Sequence, residues 1–85
     1  MSRFEAHWIA ATPGLEVYAK SLVPESDWED VLGEAMLAMI QKFGEFREEE
    51  SFPAWAKGFV RIKAKDSNRA RGIRSAREMS LNDLF

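Results

Sequence analysis

The sequence predicts an all-α fold, a small three-helix bundle with a short C-terminal helical turn. Three observations predict it: apolar residues recur at i, i+3, i+4 spacing in three successive stretches, capping residues open those stretches, and proline or glycine separates them. The first two stretches are joined by a turn and the last by a longer loop, and such a bundle has low contact order.

The first predicted helix opens at Thr12-Pro13. Threonine caps well, and proline at the first helical position loses nothing by lacking an N–H. Leu15, Tyr18, Ala19 and Leu22 form its apolar stripe, and Trp8 and Ala11 continue that stripe backwards, which leaves an earlier, kinked start open. Upstream, residues 1–12 offer the bulk of Trp8 and Ile9 but no cap, so their order is left open. Val23-Pro24-Glu25 breaks the helix.

The second helix, from about Asp27 to about Phe43, is the element around which the chain is organised. Trp28, Val31, Leu32, Ala35, Met36, Met39, Ile40 and Phe43 fall on one side, which must be buried. Ser26 and Glu29 have capping-box spacing, and Gly44 is placed to end the helix in the left-handed conformation. On the opposite side Asp30, Gly33, Glu34, Leu37 and Gln41 align. Two readings are open for that side: a solvated face with one stray leucine, or a docking face for a basic partner. A mid-helix glycine costs about 1 kcal/mol relative to alanine, which is easier to understand where another backbone approaches closely.

An acidic loop of about eight residues follows, with Phe46 at its centre; that ring either tucks onto the core or is left free to stack. Ser51 caps the third helix and Pro53 lies in its first turn. Phe52, Trp55, Ala56, Phe59 and Ile62 form its buried stripe. Beyond Ile62 the stripe turns polar through Lys63 and Asp66, as if the helix projected past the core. On its other side Lys57, Arg61, Lys65, Asn68 and Arg69 line up, and Arg71, Arg74 and Arg77 extend the charge past Gly72. Ser80 then caps a short turn through Leu84.

Composition excludes several classes of function. The 85 residues make one domain, and a chain this short buries only about 60 to 65% of its unfolded surface. There is no cysteine, hence no disulfide and no thiolate metal site, and the single histidine, His7, lies near an end expected to fray. Glu48, Glu49 and Glu50 have no base, nucleophile or metal cluster placed with them, so no enzyme and no cofactor is expected. Met36 and Met39 read as core filler rather than a ligand box. No apolar run is long enough to span a membrane and no secretory signal opens the chain, which makes the cytoplasm the expected compartment.

The net charge of −2 conceals a segregation. Residues 1–56 carry 4 basic and 11 acidic side chains, whereas residues 57–77 carry 8 basic and 1 acidic. Such a dipole suggests a polyanion at the basic end and a cationic partner at the acidic end, with pairing between the chain's own halves as the competing account.

Residues 26–71 resemble region 2 of the sigma-70 family of bacterial RNA polymerase sigma factors, in particular the extracytoplasmic-function subfamily. The family's D-x-E-D-L-V-Q-E-x-F-L-x-x-W segment appears as DWEDVLGEAMLAMI, and its later F-x-A-W-L-x-x-I-A-R-x-x-x-x-D as FPAWAKGFVRIKAKD, in that order and without gaps. LEVYAKSLVP is similar to the family's preceding helix. The resemblance implies that the second helix docks on the clamp helices of the polymerase largest subunit through Asp30, Gly33, Glu34 and Leu37, with Gln41 on the same stripe. It further implies that the third helix and the loop before it bind the non-template strand of the promoter −10 element, through Phe46, Arg47, Trp55, Lys57, Arg61, Lys65 and Arg69. Asn68 and Arg71 extend that set along the basic face. An anti-sigma factor is a further partner of the kind the family implies.

Two departures stand out. Gly33 replaces the family's glutamine, which alters the docking contact, and the asparagine after the I-A-R segment is missing, so base preference does not carry over. The family's second domain, region 4, has no room in 85 residues. The expectation is a single region 2-like domain with a core over about 12–72 and a tail over 73–85. Against it stands one alternative of a different class, a non-transcriptional interaction bundle with an acidic and a basic face.

Overall fold

Ser2 opens the fold. Its hydroxyl accepts from the Glu5 amide at 3.1 Å while the Glu5 carboxylate accepts from the Ser2 amide at 2.9 Å, a reciprocal cap that starts a helix at Arg3. The computed structural model describes residues 2–70 and Gly72. Within them lie α1 (Arg3–Leu22), α2 (Trp28–Lys42) and α3 (Phe52–Ala70), with a 3-10 turn at Phe43–Glu45 and no strand among the described residues. The predicted turn after Ser80, and Arg71, Arg74 and Arg77, lie outside them.

α1 starts ten residues before Pro13, which corrects the predicted opening at Thr12 and realises the earlier start. Pro13 cannot donate to the Ile9 carbonyl, and the Thr12 hydroxyl donates to the Trp8 carbonyl at 2.5 Å instead of capping a new helix. The helix survives because packing on both flanks of the proline holds it: Phe4 and Leu15 are both buried.

α2 begins one residue later than its predicted cap. Residues 24–27 form a turn, closed by the Asp27 amide on the Pro24 carbonyl at 2.9 Å, and the Ser26 hydroxyl donates to Asp27 Oδ1 at 3.2 Å. Asp27 thus takes the N-cap position and the Ser26 capping box does not form. Nor does Gly44 act as a left-handed stop. The chain tightens into the 3-10 turn, and among the described residues only Gly72 has positive φ, at 76°. α3 opens as predicted, its Ser51 hydroxyl accepting from the Ala54 amide at 3.3 Å.

The helices run up, down and up. Phe4 meets both Phe43 and Phe52 at one end, while Lys20 lies over Trp28 and Asn68 reaches the Leu22 carbonyl at the other. α1 and α3 are therefore parallel and α2 is antiparallel to both, each helix packing on the other two. Phe4, Leu15, Ala19 and Val23, then Val31, Leu32, Ala35 and Met39, and Phe46, Phe52, Ala56, Val60 and Ala64 form the core, its three phenylalanines gathered at one end. Alanines at its centre bring the backbones close and leave little room for large rings. Trp28, Met36, Phe43, Trp55 and Phe59 are accordingly half-buried at its edges.

The buried stripes differ from the predicted ones at two positions. Ile40 and Ile62 are 49% and 58% exposed, and Val60 and Ala64 take the places assigned to Ile62. In α3 the buried row runs strictly i, i+4 from Phe52 to Ala64 and on to Asn68, so the helix stays docked on α1 rather than projecting past the core. Burying a side chain such as Leu15 or Met39 contributes about 1.5 to 3 kcal/mol, and both are fully enclosed.

Candidate nucleic-acid interface and docking face

The outer side of α2 presents Asp30, Glu34, Leu37 and Gln41, all exposed, with Gly33 among them. Leu37 is 59% exposed and Ile40, turned out of the core, enlarges the apolar centre of this acidic surface. Nothing approaches Gly33: a Cβ built there would meet no atom within 4 Å. The glycine therefore serves no packing need of the bundle, and it leaves a shallow recess on the outer face.

On α3, Lys57, Arg61, Lys65 and Arg69 are exposed along one side. Arg61 Nη1 donates to the Tyr18 hydroxyl at 3.4 Å and Lys57 Nζ lies 5.4 Å from the centre of the same ring. Tyr18 of α1, expected in the core stripe, thus borders the basic face and supports two of its cations. Arg69 pairs with Asp66 of its own helix at 3.5 Å. Among the described residues, Lys57, Arg61 and Lys65 have no carboxylate within ion-pair distance, and neither Asp30 nor Glu34 has a cation. Among the described residues, no ion pair joins the acidic face of α2 to the basic face of α3.

Phe46 is turned inward, only 6% exposed, which settles the alternative left open for the loop. Its ring stacks on Phe43 at 5.6 Å and 15° and meets Phe52 and Trp55 at 5.5 and 5.2 Å. Trp55 is half-buried, with Phe59 edge-on at 4.7 Å, and belongs to the same aromatic cluster at the foot of the basic face. Arg47 is exposed and pairs with Glu49 at 3.6 Å. Asn68 does not face outward with its charged neighbours: its amide donates to the Leu22 carbonyl at 3.1 Å and its Oδ1 is buried. The reason is register, since position 68 continues the buried i, i+4 row.

His7 is the residue whose place the sequence reading missed. It sits in the aromatic cluster, its imidazole stacked on Phe52 at 5.0 Å and 11° and edge-on to Phe46 at 5.3 Å. His7 Nε2 is 3.3 Å from Glu48 Oε1, and Arg3 bonds the other carboxylate oxygen. The Arg3 hydrogen bond, with smaller help from Arg3 charge and from His7, holds the exposed Glu48 carboxyl below its ordinary range. The signal that could have found this cluster is the Ser2 and Glu5 pair, which orders the N-terminal turns. Among the described residues no group of three or more acids and histidines could hold a metal ion, and no helix is long and apolar enough to cross a membrane.

Residues 12–74 match the family model for sigma-70 region 2. The chain therefore belongs to the sigma-70 family, as a region 2 domain, a transcription-factor domain with a role in transcription initiation and not an enzyme. Neither a curated protein nor a solved structure gives a significant match.

Proposed function

We propose that this domain binds core RNA polymerase through the outer face of α2 and promoter −10 DNA through the basic face of α3, acting in the cytoplasm as a sigma factor of the extracytoplasmic-function type. The observation that carries the reading is the pair of uncompensated surfaces. Asp30, Glu34 and the apolar centre at Leu37 form one, and Lys57, Arg61 and Lys65 form the other, with no ion pair joining them among the described residues. Charged partners of opposite sign are the natural complement of each. Gly33 lets a clamp helix approach the α2 backbone closely, which is where this chain departs from the family's glutamine. Arg69, Arg47 and Trp55 border the basic surface, and Arg71 continues it in the sequence. Phosphate contacts from these cations position the strand, while Trp55 offers a ring edge for an unstacked base.

Co-purification with core polymerase tests the docking half. Wild type is expected to be retained and Glu34→Lys lost, with helix content by circular dichroism unchanged because Glu34 touches no packing. Failure of wild type to bind polymerase would overturn the docking half of this reading, and retention of Glu34→Lys at the wild-type level would mean that the docking face lies elsewhere.

A further inference from the structure

Arg3, Phe4 and His7 lie before the segment that matches the family, which begins at residue 12. All three are spent on the loop between α2 and α3. Phe4 is buried edge-on against Phe43 and Phe52, at 5.5 and 6.0 Å. Arg3 and His7 hold Glu48 from two sides, and the His7 ring lies flat on Phe52 with Phe46 at its edge and Phe43 6.3 Å away. A flat heteroaromatic ring stacked on a phenylalanine, with a ring nitrogen set against a carboxylate, is the arrangement by which proteins hold an unstacked nucleobase.

We infer that His7 is a tethered placeholder: its imidazole fills, on the socket formed by Phe43, Phe46, Phe52 and Glu48, the position that a base of single-stranded DNA takes when the N-terminal turns of α1 swing away. This rests on the reading of the loop as DNA-facing, and adds to it a self-made block. The base it suits presents an N–H to Glu48, an exocyclic amine in adenine, cytosine and guanine or a ring N–H in guanine and thymine, as the imidazole does when its Nε2 carries the proton. Release exposes the face of Phe52 and the edge of Phe46 together, since His7 covers both.

The test is binding of polymerase holoenzyme, reconstituted with the 85-residue chain, to a forked duplex with a single-stranded −10 overhang. Arg3→Glu removes the clamp on Glu48 and replaces it with repulsion, on an exposed side chain whose other contact is its guanidinium 5.3 Å from the centre of the Phe43 ring; circular dichroism checks that the variant keeps its helix content. General electrostatics predict weaker DNA binding for this variant, because a positive charge becomes negative. Release of the placeholder predicts the opposite, about three- to tenfold tighter binding, because apparent affinity is lowered by the fraction of molecules whose site is closed. His7→Ala should act in the same direction.

A second readout uses the single histidine. Its imidazole proton resonances should show a ring-current shift in the free chain, reduced in Arg3→Glu and abolished with single-stranded −10 oligonucleotide in excess. Wild type and Arg3→Glu binding DNA equally, or Arg3→Glu binding more weakly, would overturn the placeholder while leaving the DNA reading intact. A ring-current shift that persists in the DNA complex would overturn it also. Holoenzyme that fails to bind the fork with either chain would instead bring down the DNA reading, and the placeholder with it.

Discussion

Asn68 lies in a run of cations, yet its side chain belongs to the bundle. Its amide closes the seam between the last turn of α3 and the Leu22 carbonyl at the end of α1. Removing a hydrogen bond of this kind and leaving a half-buried carbonyl without a donor costs about 1 to 3 kcal/mol. Asn68→Ala should therefore lower stability by about that amount, and Asn68→Asp by more, because a carboxylate would face the Leu22 carbonyl with no proton to give. Denaturant melts of the two variants check the order. Under conditions where Asn68→Ala remains folded its affinity for forked −10 DNA should equal that of wild type, and a clear loss would return Asn68 to the DNA surface. The same scale shows why Phe46 and His7 were hard to place. Nothing in the acidic loop tells whether its aromatic turns in or out; the answer depends on Arg3, Phe4 and His7, about forty residues away in the sequence.

α2 carries a glycine that its own fold does not require. Since a Cβ at position 33 meets open space, Gly33→Ala should stabilise the domain by up to about 1 kcal/mol through helix propensity. If a polymerase helix packs against that recess, the same substitution should weaken docking. A thermal melt that rises while polymerase retention falls is the expected pair of results. A rise with no change in retention would show that no backbone comes close at Gly33. Helix number, order and type were legible at this scale, because three apolar stripes with breaks at Pro24 and after Phe43 leave few other solutions. Helix starts were less so. Ser2 with Glu5 and Ser26 with Glu29 share one spacing, but only the first forms a box, because the turn after Pro24 hands the cap to Asp27. The inner row was misjudged where hydrophobicity competed with geometry. Ile62 is the more apolar residue, but Val60 and Ala64 lie on the row that lets α3 approach its neighbours. Lys57, Arg61, Lys65 and Arg69 on α3 and Asp30, Glu34, Leu37 and Gln41 on α2 are exposed, as their spacing from the core predicts, whereas Asn68 is turned inward by the register of the buried row.

The sequence carries a charge dipole, and among the described residues no ion pair joins the acidic face of α2 to the basic face of α3, so the affinity for DNA should be governed by ionic strength. Each phosphate neutralised on a single strand contributes about −0.7 to the slope of log K against log salt. Replacing Arg61 and Lys65 together by alanine should flatten the slope by roughly one unit or a little more. Sequence preference should survive, because phosphate contacts position and base contacts specify. Salt titrations of holoenzyme on forked DNA measure both, and equal slopes for wild type and the double variant would mean that α3 does not follow the phosphates. The up, down, up course of the helices has a mechanical consequence as well. With an odd number of helices among the described residues, Arg3 and Ala70 sit at opposite ends of the bundle. Tension drawn between them runs along the parallel pair α1 and α3, loading their packing in shear along its whole length, so the domain should yield to force in one cooperative step rather than peel open helix by helix.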